Sequence, residues 1–357
     1  MNNISLEDVS NFILPLPPLA EQHRIVAKVD ELMAVCDELE AAQAKRERQR
    51  DRLEAATLHG LNNGEDGSEA GCHPTFEARA RFYLNHLPRL TTRPDHIRQL
   101  RQTILNLAVR GKLVPQDPKD EPVNSLIAQI EAKRKQRASE GEPISYQSSA
   151  DVSDIRFPVP QSWKGVRLGV VTNVLMGQSP PGETYNTHRE GIPLINGPVE
   201  FSEGPFGITV LNQYTTAPTK LCKKGDLLLC VRGSTTGRTN VAGFDACIGR
   251  GVAALQPLYA DQFVRLFIWS WRNQIIEMGR GIAFPSISRW QIEDLATPFP
   301  PLKEQRRIVV KVDELMALCD ELEARVTTTA TTRHRFLKAT LDAALKKRLL
   351  HEVSYEI

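Results

Sequence analysis

PLPPLAEQHRIVAKVDELMAVCDELEA at residues 15–41 returns as PFPPLKEQRRIVVKVDELMALCDELEA at residues 298–324, with 22 of 27 positions identical at an offset of 283. Self-similarity of this length means that one structural unit is built twice. The match continues weakly on both sides. Upstream, Ile4 and Ser5 align with Ile287 and Ser288. Downstream, Arg50, Arg52, Ala56, Thr57 and Leu58 align with Arg333, Arg335, Ala339, Thr340 and Leu341.

The repeated unit has helical periodicity. In the first copy Ile25, Val29, Leu32, Cys36 and Leu39 alternate steps of four and three; in the second, Ile308, Val312, Leu315, Cys319 and Leu322 do the same, followed by Val326. This is a heptad seam. Val26 and Met33, like Val309 and Met316, widen the stripe on one side. Pro18 and Pro301 suit a first helical turn, where a missing N–H costs nothing. Glu21 and Glu304 favour the positive end of the helix. No proline interrupts Leu19 to Cys72, or any position after Pro301. Each helix therefore extends over roughly 40 residues, or about 60 Å. A polar-faced helix of that length needs a partner for its seam, and the two copies are the obvious pair. Related by a pseudo-twofold axis, they would form an antiparallel coiled coil, with Cys36, Cys319, Met33 and Met316 packed in its seam. The charge run KRERQRDR at 45–52 reads as a solvated helix face.

Length and composition set the outer bounds. The chain has 357 residues, 41% hydrophobic and 25% charged, with a formal charge of +2. That length suits about two domains, or one domain with long connecting elements. The balance excludes wholesale disorder and a polybasic-tail protein, but not a local nucleic-acid face. No run of apolar residues approaches a membrane span, and MNNISLEDVS lacks the form of a signal peptide. Six cysteines without a C-x-x-C pair support neither a disulfide framework nor a zinc site. The expected compartment is the cytoplasm.

Between the repeats the pattern changes twice. Residues 61–75 are rich in Gly, Asn and acidic side chains and read as a linker. Residues 95–109 are helical, with Ile97, Leu100, Ile104, Leu107 and Ala108 on one side; Gly111 ends that helix. Pro122 opens another helix, with Leu126, Ile127 and Ile130 as its apolar face, which fades into a charged linker. From about 157, Trp163, Val166, Leu168, Val170 and Val174 suggest strands. GDLLLCVRG at 225–233 and IGRGVAALQP at 248–257 are short buried strands bounded by glycines. Residues 261–280 read as a helix with Phe263, Leu266, Phe267, Trp271, Ile275 and Met278 inward. Over residues 211–250 six basic residues face two acidic ones. Short polar side chains and arginines on such loops suit phosphate and base-edge contacts.

Catalytic patterns are missing. GSTTGRT at 233–239 has three residues between its glycines and an Arg after the second, where a phosphate loop needs four and a Lys. There is no G-x-G-x-x-G fingerprint and no N-P-P-[YF] motif; Asn196-Gly197-Pro198 is not a substitute. Asp120 with Glu131 and Lys133 makes a poor nuclease pattern on a helix beside a linker. The eight histidines show no metal spacing. The chain reads as one that binds rather than catalyses, with no catalytic or metal residues of its own.

The repeated PPLxEQxRIVxKVDELMAxCDELE strongly resembles the conserved regions of type I restriction-modification specificity subunits. DHIRQLRQTILNLAVRGKLVPQDPKDEP at 95–122, FPVPQSWKGVRLGVV at 157–171, GDLLLCVRGSTTGR at 225–238 and CIGRGVAALQP at 247–257 resemble further parts of that family. The resemblance implies an α+β fold, in which a mixed α/β target recognition domain is flanked by two long helices packed as an antiparallel coiled coil. It implies that the chain reads half of a bipartite target on double-stranded DNA and docks methyltransferase (modification) subunits through its helices, with restriction subunits as further partners. Adenine methylation and cleavage would belong to those other chains, as would S-adenosylmethionine, ATP and Mg.

The implied organisation is a remnant exit of a first recognition domain at 1–18, helix 1 at 19–60, and a linker at 61–94. A helical connector at 95–156, the recognition domain at 157–297, helix 2 at 298–350 and a tail at 351–357 follow. Residues 1–14 align with 284–297, the exit of the recognition domain. The expectation is therefore a truncated or split specificity subunit, completed by a second copy of itself or by a separately encoded half. The expected DNA contacts are Arg232, Ser234, Thr235, Arg238 and Arg250, then Gln178, Tyr185 and Asn186, with Lys220 and Lys223 beside them. The alternative is a degenerate coiled-coil scaffold that no longer reads DNA.

Overall fold

Residues 94–109 decide how the long helices meet. Pro94 at the start of this segment pre-sets the backbone for a helix, and its apolar side chains occupy more than one face. Ile97, Ile104, Leu105, Leu107, Ala108 and Val109 are all buried. A helix apolar over so much of its circumference is buried between neighbours. In the computed structural model it lies between the two repeats.

The structure describes residues 16–63, 75–140, 155, 157–202, 207–259, 261–272, 274–275 and 286–353. Residues 1–15, which hold most of the segment expected as a domain exit, the glycine-rich stretch 64–74, residues 141–154, Met278 and the last four residues lie outside them. Helix α1 covers Leu19–Asn63, α2 Phe76–Leu90, α3 Pro94–Val109 and α4 Val123–Ser139. The recognition domain follows with β1 (Lys164–Arg167), α5 (Leu168–Val171), β2 (Thr172–Met176), β3 (Tyr185–Asn186), β4 (Ile192–Ile195) and β5 (Gln213–Thr215). It continues with β6 (Leu221–Cys222), β7 (Leu227–Cys230), β8 (Thr239–Val241), β9 (Ala246–Ile248), β10 (Val252–Pro257) and α6 (Asp261–Ser270). Helix α7 (Arg289–Glu293), β11 (Ala296–Phe299) and α8 (Leu302–Val353) complete the chain. The class is α+β.

Two local readings change. Leu168 and Val170 belong to the short helix α5 rather than to a strand; all four residues of that turn are buried, so apolarity there reports burial and not period. The stretch expected as a linker to residue 94 holds α2. Thr75 caps it by accepting from the Ala78 N–H, and Glu77 and Arg89 complement its two ends.

Strand pairing places the domain on the helices. β1 and β11 pair antiparallel, Lys164 opposite Phe299, so the chain enters and leaves the domain at one point. Above that pair stand a four-stranded sheet in the order β2-β10-β7-β8 and a five-stranded sheet in the order β3-β5-β4-β9-β6. Leu228, Cys230, Ile248, Val252 and Ala254 share one buried cluster within it.

The expected coiled coil is not how the seams are buried. In α8, Ile308 and Val312 are 0% and 1% exposed, and Cys319 is buried with them. Their cover is α3 (Ile97, Ile104, Leu105, Ala108) together with Trp163 and the α6 residues Phe263 and Leu266. Leu315, Met316, Leu322 and Val326 pack partly against the same cluster. In α1, by contrast, Ile25 and Val29 are 48% and 50% exposed, and Val26, Leu32, Met33, Cys36 and Leu39 are exposed too. Among the described residues α1 is anchored in its far third, where Leu58 and Leu61 pack with Tyr83 and Leu90.

The antiparallel sense survives through α3. Asp51 meets His96 and Asn62 meets Thr103, so α1 runs with α3. Arg101 pairs with Asp320 and Glu323 of α8, whose first turn meets Gln116, so α8 runs against it. Past the start of α3 the long helices face one another across a groove of about 760 Å³, lined by Gln43, Leu322, Val326, Arg333 and Leu337 among others.

Candidate nucleic-acid interface

Six strands of the recognition domain finish or begin at one edge, and backbone hydrogen bonds fix the loops there to one another. The Gln178 N–H donates to Ile248 O at 2.9 Å and the Gly177 N–H to Val252 O at 2.9 Å. The Gly249 N–H reaches Ile195 O at 2.9 Å, the Ile248 N–H reaches Lys220 O at 2.8 Å, and the Val231 N–H reaches Gly251 O at 2.9 Å. Side chains tighten the set: the Thr219 hydroxyl donates to Gln178 O, and Ser179 Oγ accepts from the Arg250 N–H at 3.1 Å.

Two glycines allow this approach. A Cβ on Gly177 would stand 2.3 Å from Gly249 O, and one on Gly249 would stand 2.0 Å from Asn196 Oδ1. At Gly177 the neighbours are backbone carbonyls, so these loops pack backbone on backbone; at Gly249 the neighbour is the Asn196 side-chain amide, which a Cβ would displace.

The side chains that leave this edge are polar or cationic. Gln178, Asn196, Lys220, Arg232, Ser234 and Arg250 are all exposed. The edge therefore offers three cations, two side-chain amides and a hydroxyl on a rigid base. Of the residues expected to touch DNA, Gln178, Lys220, Arg232, Ser234 and Arg250 are brought together here. Thr235 sits half-buried in the same turn, in which Gly233 adopts φ 80°. Asn196 and Ser179 were not among the expected contacts. The signal for Asn196 was the glycine pair flanking Arg250, which is legible only once β4 is known to lie parallel to β9.

Other expected contacts are committed to the fold. Arg238 is half-buried and donates to the carbonyls of Phe201 at 3.1 Å and Ser202 at 3.4 Å, with its guanidinium over the Phe201 ring. It braces the loop after β4. Asn186 uses both ends of its amide on Glu190, donating to its carbonyl at 2.9 Å and accepting from its N–H at 3.1 Å. The Tyr185 hydroxyl donates to Pro180 O at 3.2 Å. Lys223 lies at the other end of β6 with its side chain exposed; its backbone N–H donates to Asp226 and that of Lys224 to Asp245. Arg238, Asn186 and Tyr185 were singled out for polarity and proximity in sequence, which do not reveal a side-chain bond back to the chain's own carbonyls.

The buried thiols are unreactive by environment. Burial pushes Cys222 up to about 12 and Cys230 up to about 11, so both stay protonated near neutral pH. Asp120, once matched to a nuclease pattern, makes two hydrogen bonds to Arg307, at 3.1 and 2.6 Å, which hold its carboxyl below the usual range. Among the described residues no three His, Cys, Asp or Glu side chains converge as metal ligands.

A sheet-built domain on long repeat helices that presents a cationic loop edge has the form of a binding module. The chain belongs to the family described as Type I restriction modification DNA specificity domain, whose pattern matches residues 1–47 and 160–331. It is 28% identical to the Type I restriction enzyme EcoAI specificity subunit of Escherichia coli over 353 residues, covering 93% of this chain and 58% of that protein. It is 34% identical to the putative MjaX specificity subunit of Methanocaldococcus jannaschii over 168 residues, covering 45% of this chain and 39% of that one. Among solved structures, the HsdS subunit from Thermoanaerobacter tengcongensis aligns over 91% of this chain and 57% of its own, at 25% identity and a TM-score of 0.42. The chain thus spans less than two thirds of the length of these relatives.

Proposed function

We propose that this chain is the DNA-sequence-recognition component of a type I restriction-modification assembly and reads one part of its target through the loop edge around Arg232 and Arg250. The observation that carries this reading is the convergence of Gln178, Asn196, Lys220, Arg232 and Arg250 on loops locked by backbone hydrogen bonds. Arginine suits guanine O6 and N7 in the major groove, and the amides of Gln and Asn suit adenine. Lys220 suits phosphate, which sets register without reading sequence. A preorganised edge pays little ordering entropy on contact, which favours discrimination over general stickiness.

In this reading methylation and cleavage are performed by modification and restriction subunits, which hold S-adenosylmethionine, ATP and Mg. The chain works in the cytoplasm, where its DNA is. No helix among the described residues is long and apolar enough to cross a membrane. Selection from a pool of randomised duplex DNA, with the chain bound to its modification subunits, tests the assignment. An enriched motif that changes in Arg232→Ala or Arg250→Ala supports it. Binding with no sequence preference overturns it and favours the scaffold alternative.

A further inference from the structure

A buried glutamate stands behind one of the loop-edge side chains. Glu200 closes the short turn Pro198–Glu200 and is 3% exposed. Its Oε2 accepts from the backbone N–H of Asn196 at 3.3 Å and that of Gly197 at 3.2 Å, and its Oε1 from Asn212 Nδ2 at 3.4 Å. The Glu200 carbonyl accepts from the Val210 N–H at 2.8 Å. Burying a carboxyl group costs free energy that hydrogen bonds must offset, and here the bonds go to the backbone of Asn196 and its neighbour. The far end of the same loop is held too, since Asn240 donates to Ser202 O at 3.2 Å beside the bonds from Arg238. The loop that carries Asn196 is therefore fixed at both ends from inside the domain.

The strand pairing then sets Asn196 beside Arg250. β4 lies parallel to β9, with Leu194 opposite Cys247 and Ile195 opposite Ile248. The next step in that register brings Asn196 opposite Gly249, about one strand spacing or 4.8 Å away. The Gly249 N–H donates to Ile195 O at 2.9 Å, and the Asn196 amide lies over the space that a Gly249 side chain would take. Arg250 follows at once, its N–H tied to Ser179 Oγ at 3.1 Å. The amide and the guanidinium thus leave the edge about one residue apart, and successive base pairs along a duplex are about 3.4 Å apart.

We infer, on the basis of the DNA reading proposed above, that Asn196 and Arg250 read neighbouring base pairs, an adenine beside a guanine, and that Glu200 is the positioning residue that aims Asn196. The Asn amide pairs with adenine N6 and N7, and the guanidinium with guanine O6 and N7. A paired contact of this kind requires the amide in one orientation. Holding its backbone from within the domain removes the cost of ordering the loop on contact.

Selection from randomised duplex DNA, with each variant bound to the modification subunits, tests the assignment. Asn196→Ala should cut the preference at one position by at least about fivefold, the low end for a bidentate base contact. Glu200→Ala should relax the same position and no other, and Glu200→Gln, which keeps a carbonyl acceptor for the two N–H groups, should retain the preference. Arg250→Ala should relax the adjacent position. A role of Glu200 in stability alone would weaken binding to all sequences alike and leave the motif intact. A Glu200→Ala motif equal to that of the wild type, or relaxed elsewhere, therefore overturns its positioning role. Positions for Asn196 and Arg250 that are not adjacent overturn the pairing. Should Glu200→Ala not fold, Gly249→Ala decides. Its Cβ would stand 2.0 Å from Asn196 Oδ1 and displace the amide, so it should relax the Asn196 position, and an unchanged motif overturns the inference. A wild-type chain that selects no motif refutes DNA reading itself, whereas a wild-type motif untouched by Asn196→Ala refutes this inference alone.

Discussion

Trp163 Nε1 donates a hydrogen bond to Glu304 Oε1 at 2.9 Å, tying the stretch that enters the recognition domain to the first turn of α8. Both side chains are buried, and Gln116 Nε2 donates to the same oxygen at 2.6 Å. Burial raises the Glu304 carboxyl above its usual range, while these two donors pull it back. Trp163→Phe keeps most of the ring packing against Phe263 but removes the indole donor. A buried acceptor short of one partner costs about 1–3 kcal/mol. Urea unfolding should show that loss. Wild-type stability in the variant would mean that the bond does not hold the domain to the helix.

The buried Glu54 makes a pH prediction with a definite sign. Its carboxyl faces Asp51, Arg93, His96 and Tyr83, where α1 meets α2 and α3. Burial, with the charge of Asp51 adding to it, pushes its pKa up to about 7 from 4.5. The folded chain therefore binds this proton more tightly than the unfolded chain. Stability from this residue is greatest below about pH 4.5, falls as pH rises towards 7, and is level above that. The difference is about 2 kcal/mol after discounting for solvent around the cluster. Melting curves from pH 5 to 8 should show the decline, and Glu54→Gln should flatten it. A decline of equal size in that variant would place its origin elsewhere.

Two arginines in neighbouring loops should behave in opposite ways. Arg238 holds the Phe201 and Ser202 carbonyls, so Arg238→Ala should lower stability by about 1.5–3 kcal/mol, the range for bonds from a charged donor. Arg250 is exposed at the loop edge, and Arg250→Ala should leave stability within about 0.5 kcal/mol. If Arg250 reads a base, its loss weakens DNA binding by about 1–3 kcal/mol and relaxes one position, while Lys220→Ala lowers the salt slope by about one. Calorimetry and binding at several salt concentrations separate the three. A reversed pattern for Arg238 and Arg250 would move the interface.

The sequence made the helices legible because a heptad pattern is local: Ile308, Val312 and Leu315 announce a helix without reference to anything distant. It misassigned their cover because a seam states that a partner exists, not which one. Residues 94–109 carry apolar side chains on more than one face, and this was the available sign that α3 is the buried middle helix. At the loop edge, Arg232 and Arg250 were readable from charge between glycines. Arg238 and Asn186 were not separable from them, since their bonds run to the carbonyls of Phe201 and Glu190 and depend on chain geometry. Asn196 was overlooked because its place beside Gly249 follows from a parallel strand pair 53 residues apart, Ile195 with Ile248.

One substitution made at equivalent points of the two repeats should separate their surroundings. Val312 is 1% exposed among α3 and α6 side chains, and its repeat partner Val29 is half exposed. Val312→Asp places a carboxylate in an apolar contact with no cation assigned to meet it, at a cost of about 3–5 kcal/mol. Val29→Asp places the same carboxylate in water and should change stability by less than about 0.5 kcal/mol. The difference tests the central asymmetry of the fold, that one apolar stripe is covered and its twin is open. If the long helices instead packed seam to seam, both variants would lose similar stability and both would separate α1 from α8. Parallel urea titrations of the two variants, with proteolysis to report release of either helix, decide between these arrangements.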